Sequence, residues 1–117
     1  VKTILVADDE RDLLTAVSGV LQDEGYDVIE CADGKQALDM LVLRRPDAAL
    51  VDVMMPFMSG TEVVAAARRD PRIDRVPIVL MSAVDDPGLK AGVAGFLKKP
   101  FALKRLLALL ADVAGRP

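Results

Sequence analysis

Ala48-Ala49-Leu50-Val51-Asp52 decides the fold. An unbroken apolar run, rather than an alternating one, suits a parallel strand covered on both faces. This run stops on a carboxylate and opens into the loop Val53-Met54-Met55-Pro56-Phe57-Met58-Ser59-Gly60. The same grammar recurs three times. Lys2–Ala7 runs into Asp8-Asp9, Ile78–Met81 into Ser82, and Gly95–Leu97 into Lys98-Lys99-Pro100. Ligands of an open parallel α/β sheet bind outside the carboxyl ends of its strands. Three carboxylates, a hydroxyl and an ammonium therefore converge on one pocket.

Working outward, strands and helices alternate without a linker or repeat. Arg11–Glu24 places Leu13, Leu14, Val17, Val20 and Leu21 on one helical face, with Gly25 at the C-cap. Tyr26–Cys31 reads as the second strand. Asp33 caps a helix that buries Ala37, Leu38, Leu41 and Val42 and stops before Pro46. Ser59-Gly60-Thr61-Glu62 fits a capping box opening a helix through Val63, Val64 and Ala67. Pro77 starts the fourth strand. A final helix, Ala102–Ala114, carries the stripe Leu103, Leu106, Leu107, Leu110 and Val113, and Leu109 at its edge is expected to stay exposed as an interface beside Arg105 and Asp112.

The connection from Ala83 to Ala94 is short. It is close to the ~10–12 residue minimum of a strand–helix–strand crossover, and Gly88, Gly92 and Gly95 punctuate it. A stunted or irregular fourth helix starting near Asp86-Pro87 is expected. The alternation as a whole predicts a parallel sheet with helices on both faces.

Composition narrows the function. A chain of 117 residues, 52% apolar, suits one domain over 1–117. Its net charge of −3 gives no case for direct nucleic-acid binding. The single cysteine, Cys31, excludes an internal disulfide and points to a reducing compartment, with the residue itself read as a small strand-closing side chain. Charges interrupt every apolar stretch before it reaches membrane-spanning length, and no signal peptide is visible. Starting on Val1, the chain reads as processed or cut from something longer. Histidine is absent, which excludes a Ser–His–Asp triad, a Cys–His pair and histidine-ligated zinc. Any phosphohistidine chemistry needs a second protein.

The strand ends carry their own chemical logic. Two like charges ~4 Å apart repel by about 1 kcal/mol in water and about 4 at an effective dielectric of 20. Gathering Asp8, Asp9 and Asp52 is therefore costly unless a cation sits among them. Mg²⁺ suits such oxygen donors, with Mn²⁺ as a substitute. A carboxylate beside that ion is able to attack phosphorus, and Lys99 and Ser82 supply the positive charge and the hydrogen-bond donor for the phosphoryl oxygens.

These residues resemble the receiver domains of two-component response regulators, the CheY-like group. The resemblance covers all 117 residues and rests on four stretches. They are Val6-Ala7-Asp8-Asp9-Glu10, the run from Asp52 to Gly60 that follows D-x-x-M-P-x-M-x-G, Met81-Ser82-Ala83, and Phe96-Leu97-Lys98-Lys99-Pro100-Phe101. It implies a flavodoxin-like, doubly wound sheet of five parallel strands in the order 2-1-3-4-5. Asp52 would be the phosphoacceptor, served by a histidine kinase or a histidine phosphotransfer protein. Asp9 would bind Mg²⁺ directly, Asp8 through water, and the Met54 backbone carbonyl would add a ligand. Ser82 and Phe96 would form the switch, Phe96 moving inward as Ser82 shifts. Lys99, not the solvent-facing Lys98, matches the family position, with a cis bond to Pro100. A homodimer or an effector domain would use the face of the fourth and fifth helices. The module would be cytoplasmic and no enzyme beyond its own phosphorylation and dephosphorylation. Two departures stand out: the short 83–94 connector, and phenylalanine at position 96 where tyrosine is commoner.

Other readings fit less well. A phosphatase of the haloacid dehalogenase type needs a second acid two residues after the nucleophile, where Met54 stands. A flavodoxin-like cofactor binder needs a phosphate-cradling first loop, not Asp8-Asp9. A receiver fold acting as an interaction module without phosphorylation is the remaining alternative, and the complete set of site residues counts against it.

Overall fold

Five short strands make one parallel sheet, and the computed structural model describes residues 1–84 and 92–117. They are β1 (Thr3–Ala7), β2 (Asp27–Cys31), β3 (Ala48–Asp52), β4 (Ile78–Ser82) and β5 (Gly95–Lys98). Their spatial order is β2-β1-β3-β4-β5, as the sequence resemblance implies. Among the described residues the helices are α1 (Arg11–Glu24), α2 (Gly34–Arg44), α3 (Gly60–Arg68) and α4 (Leu103–Ala114).

Strand alternation splits the core in two. Ile4, Val6, Ala48, Leu50, Val79, Met81 and Leu97 meet the apolar faces of α1 and α4. Leu5, Ala7, Ala49, Val51, Ile78 and Leu80 meet α2 and α3 on the opposite side. Every residue of β3 and β4 is buried, which is why their sequences show no polar alternation. Truncating one of these side chains, such as Leu50, costs about 2–5 kcal/mol through lost burial and the cavity left behind.

Local signals act where the sequence places them. Gly25 closes α1 at φ 104°, its N–H reaching back to the last turn. The Asp33 side chain accepts the Gln36 N–H at 2.8 Å. At α3 the Ser59 hydroxyl accepts from the Glu62 N–H at 3.2 Å while Glu62 accepts from the Ser59 N–H at 3.1 Å, a complete capping box. None of the described helices is long and apolar enough to cross a membrane.

Two expectations need adjustment, and one buried side chain was not anticipated. Tyr26 precedes β2 rather than starting it; its hydroxyl donates to the Gly115 carbonyl at 3.0 Å, tying the end of α4 to the α1–β2 turn. On α4, Leu103 is the exposed member of the leucine stripe at 49%, whereas Leu109 is partly buried against the core. The reason is Gly95: with no side chain there, the Leu109 methyl groups sit where a Cβ would meet them at 3.2 Å. On α1, Ser18 is buried on the core face, and its hydroxyl has no hydrogen-bond partner among the described residues. The expected irregular fourth helix, and with it much of the expected dimer or effector face, falls on residues 85–91, outside the described residues.

Candidate phosphoryl and metal site

Alternation also sorts the polar residues at the carboxyl ends of the strands. Asp8 continues the face of Val6, Asp52 that of Leu50, and Lys99 that of Leu97, so all three belong to the α1/α4 side. Register adds their alignment, since β1 and β3 pair Ala7 with Val51. Asp8 and Asp52 are only 1% and 6% exposed. Lys99 Nζ lies 2.7 Å from Asp8 Oδ2 and 3.4 Å from Asp52 Oδ2, one ammonium between two carboxylates. Asp8 Oδ1 also accepts the Glu10 N–H at 2.9 Å. Asp9 is exposed at the mouth.

The electrostatics follow. Burial raises the pKa of Asp52 above the ordinary carboxylate range, and the neighbouring Asp8 charge adds to it; Lys99 and the Met54 N–H pull it back. Burial works against the Lys99 ammonium, but the Asp8 hydrogen bond and the two carboxylate charges outweigh it and raise its pKa. Two buried anions share one cation, leaving the cluster short of positive charge. Asp8, Asp9 and Asp52 each offer a carboxylate oxygen within 4.8 Å of the others. An all-oxygen set, underneutralised and open on the Asp9 side, fits a hard divalent cation such as Mg²⁺.

Ser82 and Phe96 occupy the other face. Ser82 is buried at the end of β4, its Oγ accepting the Val84 N–H at 3.2 Å, and its carbonyl receives the Lys99 N–H at 2.7 Å. Phe96 pairs with Leu80, Ser82 with Lys98, so Phe96 stands one step behind Ser82 on the same face, half-buried against the α2/α3 core. Lys98 is exposed, while Lys99 turns into the cleft, and the Lys99–Pro100 bond is cis. The structure thus gathers Asp8, Asp9, Asp52 and Lys99 directly. Ser82 lies on the adjoining strand end, with Phe96 diagonal to it.

The loop after Asp52 holds residues that a reading of types alone passes over. Gly60 packs against the Asp52 carbonyl so tightly that a Cβ has no room, and its N–H donates to Val53 O at 2.9 Å. Gly34, at the start of α2, is pressed against the Met58 carbonyl in the same way. Between these two points Phe57 adopts φ 66°, and the Met58 N–H donates to Pro56 O at 2.7 Å across it. This is a γ-turn of the rare positive-φ type. A left-handed conformation costs a non-glycine residue about 1–2 kcal/mol. Phe57 is 88% exposed and Met54 73%. The only sequence signal was position: Phe57 lies between Pro56 and Met58 in a loop whose glycine was already part of the quoted pattern.

Comparison with known proteins agrees with this architecture. Residues 4–111 match the model of the response regulator receiver domain. The response regulator MprA of Mycolicibacterium vanbaalenii is 42% identical over 110 residues, covering 90% of this chain and 47% of that protein. The chain therefore spans about half the length of such curated relatives. Among solved structures, the receiver domain of the sensor histidine kinase PA1611 from Pseudomonas aeruginosa superimposes with a TM-score of 0.91 at 31% identity, covering 97% of this chain and 98% of that one. That crystal structure holds a magnesium ion coordinated in its active-site cleft. The chemotaxis response regulator CheY4 of Vibrio cholerae gives 0.87 at 36% identity, covering 96% and 98%.

Proposed function

Because the chain belongs to the response regulator receiver family, the phosphoacceptor module of two-component signalling, we propose that Asp52 is its phosphoacceptor and that residues 1–117 form one such module. The observation that carries this reading is the shared ammonium: Lys99 reaches both Asp8 and Asp52 at the end of the sheet. Asp52 lies buried within that cluster, with 6% of its surface still open to solvent.

Asp8, Asp9, Asp52 and the Met54 backbone carbonyl would hold a divalent ion there, and when bound it would neutralise charge for an incoming phosphoryl group. The protein's own groups do the rest. Lys99 draws one phosphoryl oxygen away from the Asp8 side, and Ser82 donates to another once its hydroxyl leaves the Val84 N–H. Phe96 follows Ser82, so that phosphorylation favours one of two packings of β4 and β5. The donor is a phosphohistidine on a kinase or phosphotransfer protein, since this chain has no histidine. In the cytoplasm the free Cys31 stays reduced.

Incubation with phosphoramidate and Mg²⁺, followed by intact-mass measurement, tests the assignment. The native chain should gain one phosphoryl group and Asp52→Asn none. A variant that still gains the label removes Asp52 from the role.

A further inference from the structure

We infer that one half of the sheet's amino-terminal rim is a docking surface for another protein, which presents an acidic peptide segment with an apolar anchor among its carboxylates. The carboxyl ends of α2 and α3 and the loop into β4 lie there, since helices that cross back over a parallel sheet end where its strands begin. They carry Arg44, Arg45, Arg68, Arg69, Arg72 and Arg75, six of the chain's nine arginines. Arg68 serves three carbonyls and Arg72 serves Asp70. The other four are exposed, and among the described residues their side chains make no hydrogen bond or ion pair. The two segments meet. The Asp70 carboxyl, held low first by its Arg72 bonds, also feels the charge of Arg45, and Arg72 and Arg75 line an open cleft of about 370 Å³ with Pro46, Asp47, Pro71 and Pro77. Helix dipoles account for Arg44 and Arg68, which stand in last turns. They do not account for Arg75, beyond the end of α3, or for Arg45, which closes α2 at φ 44°, a left-handed conformation that glycine adopts without strain.

Charge and shape select the occupant. These arginines outnumber Asp47, Asp70 and Asp74, which are interleaved with them, so the patch is positive in a chain of net charge −3. The adjoining half of the rim is acidic, with Asp23 and Glu24 at the end of α1 and Asp27 at the start of β2. A bilayer or a nucleic-acid duplex presents an unbroken field of negative charge, which all of these acids would repel. A peptide places its carboxylates opposite the arginines and nowhere else. Guanidinium groups also match carboxylates through paired N–H donors. Bases would find no aromatic ring to stack on from Leu43 to Asp47 or from Arg69 to Pro77. The rest of the patch is apolar: Leu43, in the last turn of α2, is 73% exposed, and Pro46, Pro71 and Pro77 give the cleft rigid walls. An apolar side chain set among the partner's acids would cover them. Ion pairs at such an open surface are individually weak, so recognition needs several arginines together with the anchor.

The probe is a fluorescent glutamate peptide with a central Leu-Leu pair, read by anisotropy. Its Ser-Ser counterpart, a DNA duplex, and vesicles of phosphatidylserine and phosphatidylcholine are the comparisons. The native chain should bind the Leu-Leu peptide with a Kd of about 0.1 mM in dilute buffer, about threefold tighter than the Ser-Ser peptide, and should lose affinity as salt is raised. Arg45→Glu combined with Arg75→Glu should weaken binding about tenfold, whereas Arg11→Glu, at the other end of the molecule, should stay within about twofold. Arg45→Gly should also bind less, yet unfold at the same or a higher urea concentration, which separates a lost contact from a lost fold. No binding by about 1 mM, equal loss in Arg11→Glu, or no difference between the Leu-Leu and Ser-Ser peptides overturns the inference. So does tighter binding to the duplex or the vesicles, which would assign the rim to a nucleic acid or a membrane instead.

Discussion

The two rims of the sheet handle charge in opposite ways. At the amino-terminal rim, Asp47 accepts the Thr3 N–H at 2.7 Å, and Asp70 takes two hydrogen bonds from the Arg72 guanidinium at 3.0 and 2.7 Å. Those Arg72 hydrogen bonds hold the Asp70 carboxyl down to about 2. Arg68 donates to the carbonyls of Gly92, Asp74 and Val76 at 2.7–2.8 Å, fastening α3, the loop before β4 and the approach to β5 to one another. At the carboxyl-terminal rim, Asp8 and Asp52 share one lysine and lie beside Asp9. At the first rim Asp47, Arg68, Asp70 and Arg72 find their partners within the chain. The other leaves a deficit that an ion and a phosphoryl group are suited to fill.

Disturbing that bonded network should have the largest effect on stability. Arg68→Met strands three carbonyls that a guanidinium now serves, and should cost about 2–3 kcal/mol in urea unfolding, with phosphoramidate labelling retained where the variant is folded. A loss below ~0.5 kcal/mol would show that the Arg68 bonds are replaced by water without penalty.

The unsatisfied rim should respond in the opposite direction. Removing one charge by Asp52→Asn relieves the repulsion with Asp8, and should stabilise the chain by about 1 kcal/mol, or about 4 °C in thermal midpoint, without added metal. Saturating Mg²⁺ should stabilise the native chain and leave the variant almost unchanged. If Mg²⁺ raises both midpoints equally, the ion binds elsewhere and the contrast between the rims fails.

Cys31 sharpens the comparison with an uncharged control at the functional rim. Burial, then the charge of Asp33, pushes its thiol up to about 11. The native state therefore keeps a proton that the unfolded thiol sheds near its ordinary pKa, so raising the pH past that ordinary value lowers stability. The stability difference between the native chain and Cys31→Ala should shrink by less than about 1 kcal/mol from pH 8 to 9. Alkylation of Cys31 at pH 8.5 should be far slower in the native state than in urea. Equal rates would place the thiol at the surface.

Much of the arrangement was legible because it depends on local rules. Ala48–Asp52 is apolar without alternation because both its faces are covered, and Ser59 with Glu62 announces α3 through a backbone-satisfying pair. Convergence of Asp8, Asp52 and Lys99 follows from strand polarity and a period of two. What escaped depends on distant neighbours. Leu109 is covered because position 95, fourteen residues earlier, has no side chain. Tyr26 leaves its strand to bond a carbonyl eighty-nine positions away. Arg68 looks like an ordinary basic residue at a helix end until the carbonyls of 74, 76 and 92 are in view.

β3 is the third of five strands in space, with two neighbours on either side. Asp52 consequently terminates the keystone of the sheet, the strand whose displacement would have to be shared by both halves at once. Fraying at either edge, β2 or β5, can proceed while the acceptor stays seated. Amide exchange along Ala49–Val51 should therefore be the slowest in the chain, and a message written at its tip has a firm base to push against.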